Sequence, residues 1–177
     1  MIINVYDFDD TLFRIPTHIQ ALDDFKMNHI NDWYDHSESM NDEKYHIQCI
    51  LSVADILKKS YSDPNQVNIL ITRRHQDRRE DVLRILKKHD LQFHSVYVIG
   101  HDITKPDTLE KFIIENKIKV SEIEYVNIYE DSLYQIIDYR NKLTYLDFRV
   151  FFVDKTHLLE IGDIFVYELE KLRLLYK

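Results

Sequence analysis

The sequence predicts an α/β protein with an open parallel sheet flanked by helices, and two patterns indicate this fold class. Five short runs rich in Val, Ile, Tyr and Phe are apolar at nearly every position, as parallel strands covered on both faces are. Helical patterns separate the runs, and strands that alternate with helices form right-handed βαβ units. The predicted strands cover residues 2–6, 67–71, 95–99, 124–129 and 149–153. The predicted architecture is therefore Rossmann-like.

Four amphipathic patterns predict the helices that flank this sheet. In the first, Val82, Ile85 and Leu86 share one face, and charged residues lie opposite. In the second, Asp107 precedes the apolar positions and Glu110 follows three residues later, which predicts a capping box with Asp107 as the N-cap. The predicted helices cover residues 77–89, 108–116, 132–142 and 164–176.

The connection between the first two predicted strands is far longer than one crossover helix requires. Two helical patterns and one polar connection occupy it, at residues 15–27, 42–59 and 31–40. We expect a single domain over residues 1–177, with a small helical cap at about residues 14–62. Trp33 and Tyr34 either stack on a nucleobase or pack between this cap and the core, and we favour packing.

Composition excludes several classes of protein. The net charge of −8 argues against a broad basic surface that coats nucleic acid. No run approaches the ~20 apolar residues of a membrane span, so no membrane partner is expected. The first residues carry no basic region and no long apolar run, which predicts a cytoplasmic protein. The single cysteine excludes an intrachain disulfide, and the sequence does not specify an oligomeric state.

Polar residues follow the predicted strands at the edge where parallel strands end. Ligands of open α/β sheets bind at this edge. A lysine precedes the helix that follows the third strand. The residues at this edge are Asp7, Asp9, Thr72, Lys105, Glu130 and Asp131.

These residue types suit phosphoryl transfer. A carboxylate does not readily attack a phosphate dianion, because at 4 Å each pair of like charges costs about 4 kcal/mol at a dielectric of 20. Mg²⁺ removes this obstacle, and Asp7 and Asp131 can supply its carboxylate ligands. Lys105 and Thr72 can hold the equatorial oxygens. Asp9 can protonate the leaving oxygen and later deprotonate the attacking water.

Four segments resemble the motifs of the haloacid dehalogenase (HAD) superfamily, in the same order. Residues 7–12, Asp-Phe-Asp-Asp-Thr-Leu, resemble motif one, which is Asp-x-Asp-x-Thr after a buried strand. Residues 68–72 end in threonine and resemble motif two. Lys105 with the following Pro-Asp resembles motif three, and residues 128–132, Ile-Tyr-Glu-Asp-Ser, resemble motif four.

The resemblance implies a HAD-like fold and a Mg²⁺-dependent phosphohydrolase that forms an aspartyl-phosphate on a phosphomonoester substrate. It implies that Asp7 is the nucleophile and Asp9 the acid/base. The expected metal ligands are Asp7, the backbone carbonyl of Asp9, and the pair Glu130 and Asp131, without a choice within the pair. Thr11 of motif one is an expected substrate-binding residue.

A narrower resemblance is to the HAD family called Swiss Army Knife RNA repair-like. It comes from the segment Asp-Thr-Leu-Phe-Arg, followed by Trp-Tyr and by Ile-Tyr-Glu-Asp. It favours a nucleic-acid 3′-phosphate as the substrate, whereas the acidic net charge favours a phosphorylated small molecule. Residues 73–79 are rich in arginine and start at the predicted site. They either bind a second phosphate, with Arg74 as the best candidate, or form a solvated helix start.

The motifs also depart from the family pattern. Asp10 occupies a position where the superfamily often has glycine, which is acceptable because aspartate tolerates the left-handed region. Residues 133–135 lack the second aspartate that many members carry. Lys111 competes with Lys105 as the motif-three lysine, and we favour Lys105 because it precedes the helix. An alternative to the enzyme is a catalytically weak HAD-like module that binds a phosphorylated partner.

Overall fold

A six-stranded sheet forms the centre of the computed structural model, which describes residues 1–16, 30–153 and 166–168. The strands are Ile2–Tyr6 (β1), Phe13–Arg14 (β2), Gln48–Cys49 (β3), Gln66–Thr72 (β4), Ser95–Val98 (β5), Tyr125–Glu130 (β6), Phe148–Val153 (β7) and Val166–Glu168 (β8). Six of them form the central sheet in the order β5-β4-β1-β6-β7-β8, in which only β7 and β8 pair in antiparallel fashion. The other two, β2 and β3, form a separate antiparallel pair. The predicted Rossmann-like α/β sheet is confirmed, and each predicted strand is present to within one residue at either end.

In the described ranges, six helices and three 3₁₀ turns connect these strands. The helices are Ile30–Asp35 (α1), Asp42–Tyr45 (α2), Leu51–Tyr61 (α3), Arg79–Lys88 (α4), Lys105–Glu115 (α5) and Leu133–Lys142 (α6). The 3₁₀ turns are Ser37–Met40, Gln76–Arg78 and Val120–Glu122. Within the described ranges, no helix has the length and apolarity needed to cross a membrane.

Apolar side chains cover both faces of the sheet. Along β4, Ile69 and Ile71 belong to one apolar cluster, whereas Leu70 belongs to another, and all three are fully buried. Successive side chains of a strand point to opposite faces, so each cluster lies on its own face. This two-sided burial explains why the central strands read as continuous apolar runs.

The long connection between β1 and β4 differs in detail from the prediction. The predicted helix over 42–59 is wrong in its middle, because His46 takes a left-handed φ of 50° and ends α2. The two-residue strand β3 then pairs with β2 before α3 begins. The predicted connection over 31–40 contains α1 and a 3₁₀ turn. Residues 17–27 of the predicted helix 15–27 lie outside the described residues.

The predicted helix over 164–176 is also wrong where it can be compared. Residues Val166–Glu168 form β8, which pairs with β7 in the register Val153↔Val166. The edge of β7 offers unpaired backbone groups to a short Val-Tyr-Glu segment, and this pairing outweighs a weak helical pattern. Residues 169–176 of that prediction lie outside the described residues.

The start of α5 corrects the predicted N-cap and moves the helix towards the edge of the sheet. Thr104, not Asp107, is the N-cap: its hydroxyl accepts from the Asp107 amide at 3.3 Å and donates to the Asp107 carboxylate at 2.6 Å. Asp107 therefore lies three residues after the N-cap and pairs with the hydroxyl of Thr104. Pro106 lies in the first turn, where a missing N–H costs nothing. Lys105 consequently begins the helix beside the ends of β1 and β6.

Candidate active site

Five predicted site residues lie along the edge where three neighbouring strands end. Asp7 and Asp9 follow β1, Thr72 ends β4, and Glu130 ends β6 with Asp131 directly after it. Because β4, β1 and β6 are adjacent and parallel, their carboxyl ends lie side by side. The topology thus brings together residues that are far apart in sequence.

The loop that carries Asp7 and Asp9 is held by a compact turn. The amides of Leu12 and Phe13 both donate to the carbonyl oxygen of Phe8, at 3.1 Å in each case. Their apolar side chains are fully buried and anchor the turn in the core. The turn closes through Asp10, whose φ of 54° lies in the left-handed region. Aspartate at this glycine-like position is therefore tolerated, as predicted.

Lys105 joins two buried carboxylates at the base of the site. Its Nζ donates to Asp7 Oδ1 and to Glu130 Oε2, at 2.6 Å in each case. The three side chains are at most 8% exposed. Lys111, the competing lysine, is 67% exposed and pairs with Glu115 on the outer face of α5. Of the two lysines, only Lys105 lies in the site.

Burial dominates the electrostatics of this cluster. It raises the pKa of Asp7, and the charge of Asp131 adds to the rise while Lys105 opposes it. Burial and the charge of Asp7 likewise raise the pKa of Glu130 well above its ordinary value. For Lys105, burial alone would lower the pKa, but the charges of Asp7 and Glu130 outweigh it and raise the pKa. The lysine is therefore held in its charged form.

Three carboxylates of the site could hold a metal ion together. Oxygens of Asp7, Glu130 and Asp131 lie within 4.8 Å of one another, and Asp131 is half-buried. One ammonium between the two buried carboxylates of Asp7 and Glu130 leaves one excess negative charge when all three groups are ionised. Such a set of hard oxygen donors suits a divalent cation such as Mg²⁺. The predicted Mg²⁺ ligands Asp7, Glu130 and Asp131 thus share one cluster.

The carboxylate of Asp9 has a different partner. Arg74 donates to it through Nε, at 2.9 and 3.1 Å, and through Nη2 at 2.6 Å. Burial raises the pKa of Asp9 and the charge of Asp7 adds to the rise, while Arg74 lowers it. Within the described residues, the Asp9 carboxylate lies outside the three-carboxylate cluster. Arg74 therefore fixes the orientation of the Asp9 carboxylate.

Arg74 also connects the site to the long connection between β1 and β4. Its Nη1 donates to the Tyr34 carbonyl at 2.8 Å and to Ser39 Oγ at 2.6 Å. The side chain is fully buried, and its contacts with protein use Nε and both terminal nitrogens. We predicted Arg74 as the best substrate-binding arginine; in the structure its donors serve Asp9 and the connection.

The two predicted threonines are completely buried. Thr72 Oγ1 accepts from the amide of Arg74 at 3.4 Å. Thr11 Oγ1 has no hydrogen-bond partner among the described residues, although the side chain is 0% exposed. Neither hydroxyl borders the cavity that lies over Asp7 and Lys105. The structure therefore leaves the roles of Thr72 and Thr11 as predictions.

A cavity of about 350 Å³ opens above these groups. Its floor is acidic, and one side of its rim carries basic and aromatic side chains. The lining residues are Asp7, Asp9, Asp10, Tyr34, Arg73, Arg74, His101, Lys105, Glu130, Asp131, Ser132 and Gln135. The cavity is large enough for a phosphoryl group and part of the group that bears it.

The sequence analysis missed two residues near the cavity, His101 and Tyr139. His101 lines the cavity in the loop after β5, and its place after a strand end was the available signal. Tyr139 on α6 is buried, and its hydroxyl has no hydrogen-bond partner among the described residues. Burial raises its pKa, and the charges of Lys105 and Glu130 act on it, so it lies close beneath the cluster.

Trp33 and Tyr34 have separate positions. Trp33 is 1% exposed, donates to the Pro16 carbonyl at 2.8 Å and packs edge-on against Tyr45. Trp33 is therefore packed, as favoured, but these contacts lie within the connection rather than between it and the core. Tyr34 instead lines the cavity, where its ring lies 5.8 Å from the Arg74 guanidinium.

Comparison with solved structures finds the same fold in chains of an RNA repair complex. Two structures described as the Pnkp1/Rnl/Hen1 complex match 86% of this chain, with TM-scores of 0.54 and 0.53 and sequence identities of 18% and 19%. The match covers 42% and 46% of those chains, so this chain corresponds to less than half of their length. At this identity the likeness establishes the fold. No protein-family model and no curated protein matches the sequence.

Proposed function

We propose that this chain is a Mg²⁺-dependent phosphohydrolase of the HAD type, which cleaves a phosphomonoester through an aspartyl-phosphate on Asp7. The observation that carries the proposal is the arrangement at the cavity floor. Asp7 is held by Lys105, shares a cluster with Glu130 and Asp131, and lies next to a second carboxylate, Asp9, with a different partner. Two carboxylates in different environments suit a nucleophile and an acid/base.

The donor set of the floor fits Mg²⁺. Asp7, Glu130 and Asp131 would hold the cation, with water and substrate oxygens completing its coordination. Bound there, Mg²⁺ would neutralise charge on the phosphoryl oxygens, which otherwise repel the Asp7 carboxylate. Lys105 would then turn part of its hydrogen bonding from Glu130 to a phosphoryl oxygen. This assignment of ligands is part of the proposal.

In the first step, an Asp7 carboxylate oxygen bonds to phosphorus while the bond from phosphorus to the leaving oxygen breaks. Asp9 gives its proton to the leaving oxygen; burial raises the pKa of Asp9, which helps it to hold that proton, while Arg74 opposes the rise. In the second step, water attacks the phosphorus and Asp9 takes the proton, which releases inorganic phosphate and restores Asp7. Arg74 keeps Asp9 in reach during both steps.

The substrate that we propose is a phosphomonoester at a nucleic-acid 3′ end. The narrower sequence resemblance and the fold shared with chains of an RNA repair complex support this choice over a small phosphorylated molecule. The rim supports it as well, because Tyr34 and Arg73 offer an aromatic ring and a cation beside an acidic floor. We further propose that the connection around α1 and α2 acts as the cap that covers this side.

The proposal is tested by hydrolysis of an aryl phosphate and of a 3′-phosphorylated oligonucleotide, with Mg²⁺ and with EDTA. We expect Mg²⁺-dependent release of phosphate by the wild type and none by Asp7→Asn, whose side chain has a similar shape but no nucleophilic carboxylate. If the wild type releases no phosphate from either substrate, the protein is a binding module instead. Equal rates for the Asp7→Asn variant would refute the nucleophile.

A further inference from the structure

The arginines of residues 73–79 do not form one free basic patch. Arg74 is buried against Asp9. Arg78 and Arg79 pair with the acidic residues Asp81 and Glu80 at 3.5 and 3.4 Å. Each of these three arginines has a carboxylate partner within the protein. Of the four arginines in this run, only Arg73 has no carboxylate within ion-pair distance among the described residues.

Arg73 is also the arginine that the fold places at the cavity with donors to spare. It lines the rim directly after Thr72. Its Nη2 lies 3.4 Å from both Nδ1 and the carbonyl oxygen of His101, which are long contacts. Its Nε is buried and has no hydrogen-bond partner among the described residues. A buried donor of a charged group that lacks a protein partner is expected to meet a ligand or water.

The surroundings hold Arg73 in place without neutralising it. His101 contacts Asp35 through Nε2 at 3.0 Å, and the other Asp35 oxygen accepts from the His75 amide at 3.1 Å. The loops after β4 and β5 are joined by the Gly100 amide, which donates to the Arg74 carbonyl at 2.9 Å. These hydrogen bonds join the loop after β4, the loop after β5 and the end of α1, and together they hold the backbone around Arg73 in place.

We propose that Arg73 binds a second anionic group of the substrate, namely the phosphodiester next to a 3′-terminal phosphate. Arg73 contacts His101 after β5, which lies on the side of β4 away from β1 and the reacting phosphoryl group. The planar guanidinium offers paired donors that match two phosphate oxygens. This inference rests on the proposed function and specifies the substrate class of that site.

The test compares one variant and one control variant on four ligands. Arg73→Gln removes the charge, and Arg79→Gln is the matched control because Arg79 is exposed and lies on the helix surface. The ligands are a 3′-phosphorylated dinucleotide, the same dinucleotide with an uncharged methylphosphonate linkage, a nucleoside 3′,5′-bisphosphate and an aryl phosphate. Hydrolysis is measured as kcat/KM. Binding is measured by titration of the Asp7→Asn protein with and without Arg73→Gln.

We expect Arg73→Gln to lower kcat/KM for the phosphodiester dinucleotide by about 10- to 100-fold, as the loss of a charged hydrogen bond does. The methylphosphonate dinucleotide and the aryl phosphate should change by less than about threefold. The Arg79→Gln control should leave all four ligands unchanged.

Several results would overturn the inference. Equal losses for all ligands would mean that Arg73 acts on the reacting phosphoryl group or on the fold. An unchanged kcat/KM for the phosphodiester dinucleotide would exclude the contact. A loss of kcat/KM confined to the bisphosphate would indicate a small-molecule substrate instead. Binding to the Asp7→Asn protein gives the same comparison without turnover. Failure of the proposed function, seen as an inactive wild type, is thereby distinguished from failure of this inference.

Discussion

The three central strands carry two buried polar clusters, one within the strands and one at their carboxyl ends, and the two clusters differ in charge. Towards the amino ends, Asn4 of β1 lies in register with Asn68 of β4 and Asn127 of β6. Towards the carboxyl ends, the same strands lead to Asp7, Thr72 and Glu130. The first cluster is neutral, whereas the second is charged. The strands themselves are the same, so the difference lies in the chemistry of the side chains.

The asparagine row makes several hydrogen bonds within itself, although Asn68 Nδ2 and Asn127 Oδ1 have no partner among the described residues. Asn4 Nδ2 donates to Asn68 Oδ1 at 2.8 Å and to Gln66 Oε1 at 2.9 Å, while Asn127 Nδ2 donates to Asn4 Oδ1 at 2.7 Å. Ser60 adds a donor to Asn68 Oδ1 at 2.9 Å. Such a row favours one strand register, because a one-residue slip would separate the amides. This cluster serves the fold.

The cluster around Asp7 differs because its groups are charged, and the negative charges outnumber the positive one. Lys105 supplies one positive charge to the buried carboxylates of Asp7 and Glu130, and Asp131 adds a third carboxylate. A buried excess of negative charge lowers stability unless a cation or protons compensate it. The comparison therefore teaches that a neutral polar row serves strand pairing, whereas a buried cluster of charged groups marks a candidate binding site.

Replacing Lys105 should break the charged cluster and give the largest effect. We expect Lys105→Ala to lower kcat by about 10²- to 10³-fold, the usual cost of one electrostatic contact to the transition state. Lys111→Ala is the matched control, because Lys111 lies on the same helix but is 67% exposed. Steady-state kinetics on one substrate measure both. A larger loss for Lys111→Ala would refute the assignment of Lys105.

Adding Mg²⁺ should relieve the excess charge and stabilise the fold. At a concentration about 100-fold above Kd the stabilisation is about 2.7 kcal/mol, which raises Tm by roughly 5 to 10 °C for a chain of this length. Thermal unfolding with Mg²⁺ and with EDTA measures the shift. Because the shift depends on the carboxylate cluster, Asp131→Asn should reduce it.

The same stabilisation should depend on pH. Because burial raises the pKa of Asp7 and of Glu130, the folded protein keeps protons that the unfolded chain loses near pH 4. Without metal, the contribution of these two groups to the free energy of unfolding is therefore fully present below that pH. It is lost as the pH rises through their raised pKa values. The Mg²⁺ shift should be larger at about pH 7.5 than at about pH 5. A larger shift at the acidic pH would contradict the charge argument.

Breaking the asparagine row should change stability but not chemistry. Asn4→Ala leaves Gln66 and Asn127 without their partners, which we expect to cost about 1–3 kcal/mol. Denaturant unfolding measures this loss, with Asn65→Ala in the exposed turn as the control. The kcat of the folded Asn4→Ala protein should stay within about twofold of the wild type. A large loss of kcat at unchanged stability would reverse the roles of the two clusters.

The smallest effect is expected from Tyr139→Phe. The Tyr139 hydroxyl is buried without a partner among the described residues, so its removal should leave stability unchanged or raise it by up to about 1 kcal/mol. Thermal unfolding of the variant measures the sign. Clear destabilisation would mean that the hydroxyl makes a contact that supports the charged cluster.

The sequence predicted the parts of this molecule that depend on local pattern. Continuous apolar runs identified the parallel strands, and residues after strand ends identified Asp7, Asp9, Glu130 and Asp131. Partners across the fold could not be predicted in this way. The contact of Arg74 with Asp9 joins residues 65 positions apart and depends on tertiary geometry. The two-residue strand β3 was missed because so short an element has no periodicity.

The most direct test of the account is to trap the covalent intermediate. Wild-type protein is quenched in acid during Mg²⁺-dependent turnover of a 3′-phosphorylated oligonucleotide, and its peptides are mapped by mass spectrometry. We predict a phosphoryl group on the peptide that contains Asp7, which is lost on treatment with hydroxylamine as an acyl phosphate is. Sustained turnover with the phosphoryl group on another residue, or with none on the protein, would contradict Asp7 as the nucleophile.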